Sequence, residues 1–338
     1  MRSSSTNMTV NYPSEAEARV ILAAEIFMKQ AMATYDPSHD AHHVQRVRRT
    51  ALAIAKSCVP KPDLLVIELA ALLHDVLDKK YVSPQAAIDP CAFLKTFFES
   101  VESHVDLLSD GRATLLVKII ENVSWSTEKK LRVQGKITDW HKTCLELHCV
   151  QDADRLDAIG AFSIMRCAGY SCTINRPLHV ATEDPASGET AVAHFHDKLL
   201  KIKDSLKTDL GKKLGHERHN FRHAHLVQTH DLDHPGFKVE NLFVAQAHPD
   251  LDADRLDAIG AFGIMRCAGY SCTINRPLHV ATEDPASGET AVAHFHDKLL
   301  KIKDSLKTDL GKKLGHERHN FMLSFLNALN KEYAIVAQ

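Results

Sequence analysis

Apolar positions recur along this chain at spacings of three and four, the repeat of a buried helical stripe, and almost nowhere in sustained alternation. A Ser14-Glu15-Ala16-Glu17 capping box opens a first predicted helix with Val20, Ile21, Ala24, Phe27, Met28 and Met32 on one side. Past a loop with Pro37, a second helix turns Val44, Val47, Ala51, Ile54 and Ala55 inward, and Pro60 and Pro62 end it. The run from Asp63 to Leu77 is apolar nearly all round, which predicts a central helix buried on every side. Asp89-Pro90 reads as the N-cap and first residue of a helix through Phe98, and Gly111 to Val123 forms another. Thr138 to Ile164 reads as one long helix with Trp140, Leu145, Cys149, Leu156, Ile159 and Phe162 roughly on one side, and a basic helix spans Val192 to about Lys207. The predicted fold class is all-α.

Residues 152–221 recur at 252–321, and the 70 positions differ only at Ser163 against Gly263. Solenoid units are about 20–45 residues long, diverge in sequence and stack in threes or more. One long copy with unchanged loops is instead a segmental duplication, or an assembly or splicing product. Removing the offset of 100 from 338 residues leaves 238, the size of one domain. The expected organisation is a helical domain over 1–221, an irregular His-rich linker over 222–251, and the duplicated segment with a C-terminal helix over 252–338. A second copy with no place of its own is expected to expose an apolar face, and so to aggregate, swap or stay disordered.

Composition narrows the class without changing the fold. At 44% hydrophobic, 25% charged and a formal charge of −2, the chain has the makeup of a globular protein with ample core material. Its eight cysteines form no C-x-x-C, its first 13 residues are polar, and no stretch approaches the roughly 18 apolar residues of a membrane span. The expected compartment is the cytoplasm, with nuclear access left open and no membrane partner. A sequence pI near 6.9 with interspersed charge leaves no electrostatic footprint for duplex nucleic acid, whereas a small phosphorylated substrate needs only local cations.

With 22 histidines, the dipeptide His-Asp arises at His39, His74, His196, His230 and His296. Only His74-Asp75 closes the most apolar helix, where two strongly hydrated side chains need compensation. Two readings follow. His74 is a neutral core histidine bonded to a carbonyl, with Asp75 paired to Lys79, or the dipeptide is part of a metal site completed by other helices. The further donors exist in order: His39-Asp40-Ala41-His42-His43-Val44-Gln45-Arg46-Val47 opens the second helix, and Val150-Gln151-Asp152-Ala153-Asp154-Arg155-Leu156-Asp157-Ala158 lies in the long one.

This order resembles the H…HD…D signature of the HD-domain metal-dependent phosphohydrolase superfamily, an all-α helical bundle. More narrowly, five blocks resemble small HD-domain nucleotide (pyro)phosphohydrolases: the H-D-x-x-H-x-x-R-V opening, LAALLHD followed by Asp78, IIENVSWS at 119–126, DADRLDAIGA and HFHDKLLKIKD. The likeness runs from about residue 15 to 221 and resumes after 321.

The resemblance implies His43, His74, Asp75 and Asp154 as metal ligands, Asp154 being chosen over Asp152 for its Ala153 to Leu156 context. It implies Asp75 and Asp78 as catalytic residues, and His194 and Lys198 at the substrate; Arg46 and Lys79 join them as cations near the ligands in sequence. Asp152 and Asp157 read as caps or salt-bridge partners of Arg155. Two imidazoles and two carboxylates suit one divalent ion, Mn²⁺ foremost, with Mg²⁺, Fe²⁺, Co²⁺ or Ni²⁺ as alternatives. The implied function is metal-dependent hydrolysis of a phosphoester or phosphoanhydride of a nucleotide, including (deoxy)nucleoside triphosphate pyrophosphohydrolysis. A catalytically silent metal- or nucleotide-binding module, disabled by the duplication, is the alternative. Pro249 ahead of the second copy breaks an incoming helix and favours Asp154 over Asp254, whereas the helical continuation from Met322 to Tyr333 follows only the second copy.

Overall fold

The first two helices form as their patterns dictate. Helix α1 (Glu15–Ala31) carries the Ser14/Glu17 capping box and buries Val20, Ile21, Ala24 and Met28. Helix α2 (Ala41–Ser57) starts where the Asp40 carboxylate accepts from the His43 N–H, and all five inward residues read from the sequence are fully buried. The structure, a computed structural model, describes residues 12–77, 89–180, 189–230, 249–281 and 289–335; the side chains of 222–230 and 249–251 lie outside that description. Asp78 and Lys79 lie outside the described residues.

Helix α3 (Leu64–Leu73) is the axis of the molecule, packed against α1 and α2 on either side, with Leu65, Val66, Ile67, Leu69, Leu72 and Leu73 at most 1% exposed. Each such side chain stabilises the fold by roughly 1.5–3 kcal/mol relative to exposure. The helix is shorter than its apolar run: it ends at Leu73, because the His74 ring bonds back to the Ala71 carbonyl and the chain turns over 74–77. The HD dipeptide therefore sits on a turn.

Helices α4 (Pro90–Val101) and α5 (Arg112–Asn122) follow, the first running three residues past the predicted end. Helix α6 (Trp125–Val133) has little apolar periodicity and was not legible as a helix; Glu128 is its one buried residue. The predicted long helix over 138–164 is three helices: α7 (Asp139–Thr143), α8 (Leu145–Asp157) and α9 (Ala161–Thr173). Cys144 breaks the first junction in an extended conformation, and Gly160, at φ 96°, breaks the second in a region that only glycine enters readily. The basic helix likewise divides into α10 (Ala191–Asp197) and a 3₁₀ turn over Leu199–Ser205, leaving Lys207 beyond it.

Helix α11 (Asp209–His230) continues through the first nine residues of the expected linker. The remainder over 231–248 lies outside the described residues, and Pro249 begins α12 (Pro249–Asp257) rather than breaking it, since the first helical position needs no N–H. The second copy then repeats the first as α13 (Gly260–Thr273), α14 (Ala291–Asp297), a 3₁₀ turn and α15 (Asp309–Tyr333). It is neither homeless nor unfolded: α13 lies along α9, and Ile264, Met265, Ala268 and Cys272 are buried there. No strand occurs among the described residues, and none of their helices is long and apolar enough to cross a membrane.

A buried charge cluster ties α6 to α8. Arg155, 1% exposed, donates to Glu128 Oε2 at 2.6 Å and to the Ser205 carbonyl at 2.7 Å, and Lys207 reaches the same carboxylate at 2.6 Å. Asp152 serves as the cap that the sequence offers, with Arg155 as a nearby favourable charge. It accepts from the N–H groups of Lys207 and Thr208 at 3.0 and 2.7 Å and so holds the start of α11. Burial alone would favour protonated Glu128, but Arg155 and Lys207 outweigh it and lower the carboxyl to about 2. A group depressed in this way stabilises the fold above its ordinary value near 4.5 and loses that contribution as pH falls toward 2. Glu128→Gln is therefore expected to be less stable than the parent at pH 7, with the gap in urea midpoints closing below about pH 4. Parallel curves at pH 7 and pH 3 would contradict this.

Candidate metal centre

Four side chains from three segments meet beneath one cavity. His43 lies in the first turn of α2, fully buried, where the Asp40 N-cap sets the start of the helix. Its Nδ1 donates to Asp157 Oδ2 at 2.6 Å, which leaves Nε2 as the free lone pair. His74 is fixed the same way, with Nδ1 donating to the Ala71 carbonyl at 2.8 Å. The two rings stand edge to face, 5.4 Å apart. His43 Nε2 lies 3.4 Å from Asp75 Oδ2 and 3.7 Å from Asp154 Oδ1, and His74 Nε2 lies 3.5 and 3.9 Å from the same two atoms.

Both Nε2 atoms are buried and without a hydrogen-bond partner, a costly arrangement for a polar atom unless a ligand satisfies it. The separations are longer than N–H···O bonds, which peak near 2.9–3.0 Å. They fit donors around a shared cation: two atoms each roughly 2.1 Å from one ion are at most about 4.2 Å apart. His43, His74 and Asp75 offer ligand atoms that all lie within 4.8 Å of one another, and Asp154 faces both imidazoles. The donor set is therefore able to hold a divalent ion.

Electrostatics prepare the carboxylates for such an ion. Burial opposes ionisation of Asp75, yet the His74 and His43 imidazoles beside it hold the carboxyl well below its ordinary value. Asp157 is buried too, and Arg46, His43 and Arg166 together keep it well below the usual range. Burial and Arg166 push the His43 ring toward neutrality, but the Asp157 and Asp75 carboxylates prevail and its pKa is raised.

Above the centre lies a cavity of about 350 Å³. His74, Asp75 and Asp154 line it together with Trp125, Tyr170, Arg166 and Arg176, and both His194 and Lys198 are in the lining. Lys198 Nζ stands 5.7 Å from the centre of the Trp125 ring. Arg46 is not there. Its guanidinium donates to Asp157 at 2.8 and 3.0 Å and lies 4.1 Å over the Phe162 ring, so this cation is committed beneath the site rather than presented to a substrate. Asp254 is exposed, as is Asp257, so the first copy alone brings its aspartate to the histidines.

Asp157 holds a position at the centre that the H…HD…D motif does not foreshadow. The sequence reads it as a cap or as a salt-bridge partner of Arg155; the Arg155 side chain turns to Glu128, while Asp157 orients His43 and gathers Arg46 and Arg166. A signal existed: three residues beyond Asp154 in a helix, Asp157 shares much of its face. Trp125 falls within the IIENVSWS block, whereas Tyr170, Arg166 and Arg176 carry no comparable signal, because their approach depends on the break at Gly160.

No family model matches the chain. YpgQ of Bacillus subtilis, an uncharacterised protein, is 32% identical over 207 residues, spanning 60% of this chain and 87% of YpgQ. The crystal structure of YpgQ in complex with ADP covers 65% of this chain and 98% of YpgQ at 26% identity, with a TM-score of 0.48. A crystal structure from Lactobacillus plantarum covers 62% of this chain and 95% of its own at 28% identity and a TM-score of 0.50. An HD-superfamily hydrolase from Bacillus thuringiensis covers 63% and 96% at 26% identity and a TM-score of 0.47. Most of YpgQ's length thus maps onto three-fifths of this chain. By that kinship, and by the H…HD…D residues gathered at one point, the chain belongs to the HD superfamily of metal-dependent phosphohydrolases, in the family of YpgQ.

Proposed function

We propose that this chain hydrolyses a phosphoanhydride or phosphoester of a nucleotide, with pyrophosphate release from (deoxy)nucleoside triphosphates as the specific reaction. The observation that carries the reading is the pair of buried, partnerless imidazole Nε2 atoms facing two carboxylates beneath a cavity lined by cations. We assign His43, His74, Asp75 and Asp154 as the ligands of one divalent ion, Mn²⁺ foremost, because a mixed nitrogen and oxygen set suits such ions better than a thiolate-selected one. When bound, the ion supplies Lewis acidity that activates water and draws charge from a phosphoryl oxygen.

The chain's own residues do the rest. Asp157 fixes the tautomer and tilt of His43, and Ala71 does so for His74, so that neither ring must reorganise. Asp75 stays ionised throughout the neutral range. Lys198 and Arg176 place positive charge where phosphates enter, His194 lines the same wall, and the Trp125 and Tyr170 rings offer apolar wall to a base. YpgQ, related in sequence, was crystallised with ADP, and the nucleotide class is extended from it to this chain. The eight free cysteines fit a reducing cytoplasm, which we assign as the compartment.

A panel of nucleoside mono-, di- and triphosphates assayed with Mn²⁺ tests the reading. Turnover of at least one nucleotide is expected, with Lys198→Ala raising KM roughly tenfold, about 1.4 kcal/mol, and lowering kcat less. Metal binding without turnover of any of them would replace the hydrolase with a silent binding module.

A further inference from the structure

The two copies meet in a way that ordinary intramolecular packing does not require: the helix-to-helix contacts between α9 and α13, and the ring contacts beside them, come in reciprocal pairs. A Cβ at Gly169 would stand 3.3 Å from Cys272 Cβ and 3.7 Å from the Ala268 carbonyl oxygen; a Cβ at Gly269 would stand 3.3 Å from Cys172 Cβ and 3.7 Å from the Ala168 carbonyl oxygen. Phe162 meets His279 at 5.5 Å, and His179 meets Phe262 at 5.7 Å. Residue i of one copy touches residue j of the other, and j touches i. That is the mark of an isologous interface, the kind that relates two subunits across a two-fold axis. Small residues at 168–169 and 268–269 let the helices approach closely, and Ala168, Gly169, Ala268 and Gly269 are all buried.

A second observation points the same way. The first half of α15 serves its own copy: Thr308 is held by Asp252, and Arg318 donates to the Leu256 carbonyl. The second half crosses to the first copy. Glu332 there accepts from the N–H groups of Ala161 and Phe162 at 2.6 and 3.4 Å, capping α9, and the Tyr333 ring lies 3.7 Å beneath the Arg49 guanidinium. Gly260, the counterpart of Gly160, meets Arg318 of its own copy instead.

We propose that the outward face of α9 is a self-recognition surface, and that the second copy occupies it in cis as a built-in replacement for a second subunit. The occupant is this chain's own 252–333 segment, so the α9 face is closed and the chain stands alone in solution.

Gly169→Cys tests the seam directly, because its Cβ would lie close to the roughly 3.5–4.5 Å spacing of a disulfide with Cys272. Diamide takes the two electrons and two protons of the thiol pair. The expected product is a bond within one chain: faster migration on a non-reducing denaturing gel, reversed by dithiothreitol and absent from Gly169→Cys/Cys272→Ser. Gly269→Cys with Cys172 is the mirror test and guards against crowding in either variant alone. A covalent two-chain species, or no bond in either variant while its circular dichroism matches the parent, overturns the proposal. Light scattering of the unmodified chain decides it without substitution: the mass of one chain at micromolar concentration is expected, and that of two chains overturns it.

Discussion

His74→Ala is expected to lower kcat/KM for nucleotide hydrolysis by ~10³-fold or more, about 4 kcal/mol of lost transition-state stabilisation. The ring contributes one of two buried Nε2 atoms to the centre, and neither Asp75 nor Asp154 can take its place, since each already faces both imidazoles. The fold survives the change. His74 caps α3 at its end rather than filling its core, and the lost bond to the Ala71 carbonyl costs about 1 kcal/mol. Calorimetric titration with Mn²⁺ should therefore show weakened binding by a folded protein, and added metal should restore little activity. Turnover within threefold of the parent would remove His74 from the centre and with it the hydrolase reading.

Asp157→Asn is expected to be the most destabilising isosteric change near the site. The carboxylate is 4% exposed and accepts from His43, twice from Arg46, and from Arg166 at 2.9 Å. An amide of the same shape turns donors toward donors and leaves two guanidinium groups without their counterion. Removing one partner from such a buried network costs about 3–5 kcal/mol. Losing the orienting bond to His43 should also weaken metal binding by roughly 10–100-fold. Because the folded-state pKa of Asp157 is held far below its unfolded value of about 3.9, its contribution is full above that value and fades as pH falls through the folded one. Urea unfolding should show a gap between parent and variant that is constant from pH 7 to about 4 and narrows below. Equal stability at pH 7 would show that the two arginines draw their compensation elsewhere.

What the sequence made legible followed from strong local signals. The capping box at Ser14, the inward stripes of α1 and α2, and the all-round apolar α3 each stand as read, because a helix with a sharp apolar face has one way to bury it. His43, His74, Asp75 and Asp154 were identified through a motif, and the motif is legible because its chemistry tolerates few residue types. Arg46 was misplaced for a physical reason: closeness to a ligand in sequence does not say on which side of the helix a cation falls, and one residue earlier or later in α2 means a turn of about 100°. The single helix expected over 138–164 hid both the commitment of Arg155 to Glu128 and the turn at Gly160 from which α9 starts. Periodicity persists across a short break when both flanking helices bury the same side, so the pattern could not reveal it. The fate of the second copy was least legible of all, since identical sequences carry identical propensities and only tertiary packing distinguishes them.

That difference in packing sets unequal evolutionary constraint on two stretches that are now almost the same. Asp254 and Asp257 are exposed, and Asp257 pairs only with Arg266 of its own copy, so substitutions there should accumulate before those at Asp154 and Asp157. Gly269, Cys272 and Phe262 press against the first copy, and selection should keep them nearly as fixed as Asp154, which faces the two imidazoles.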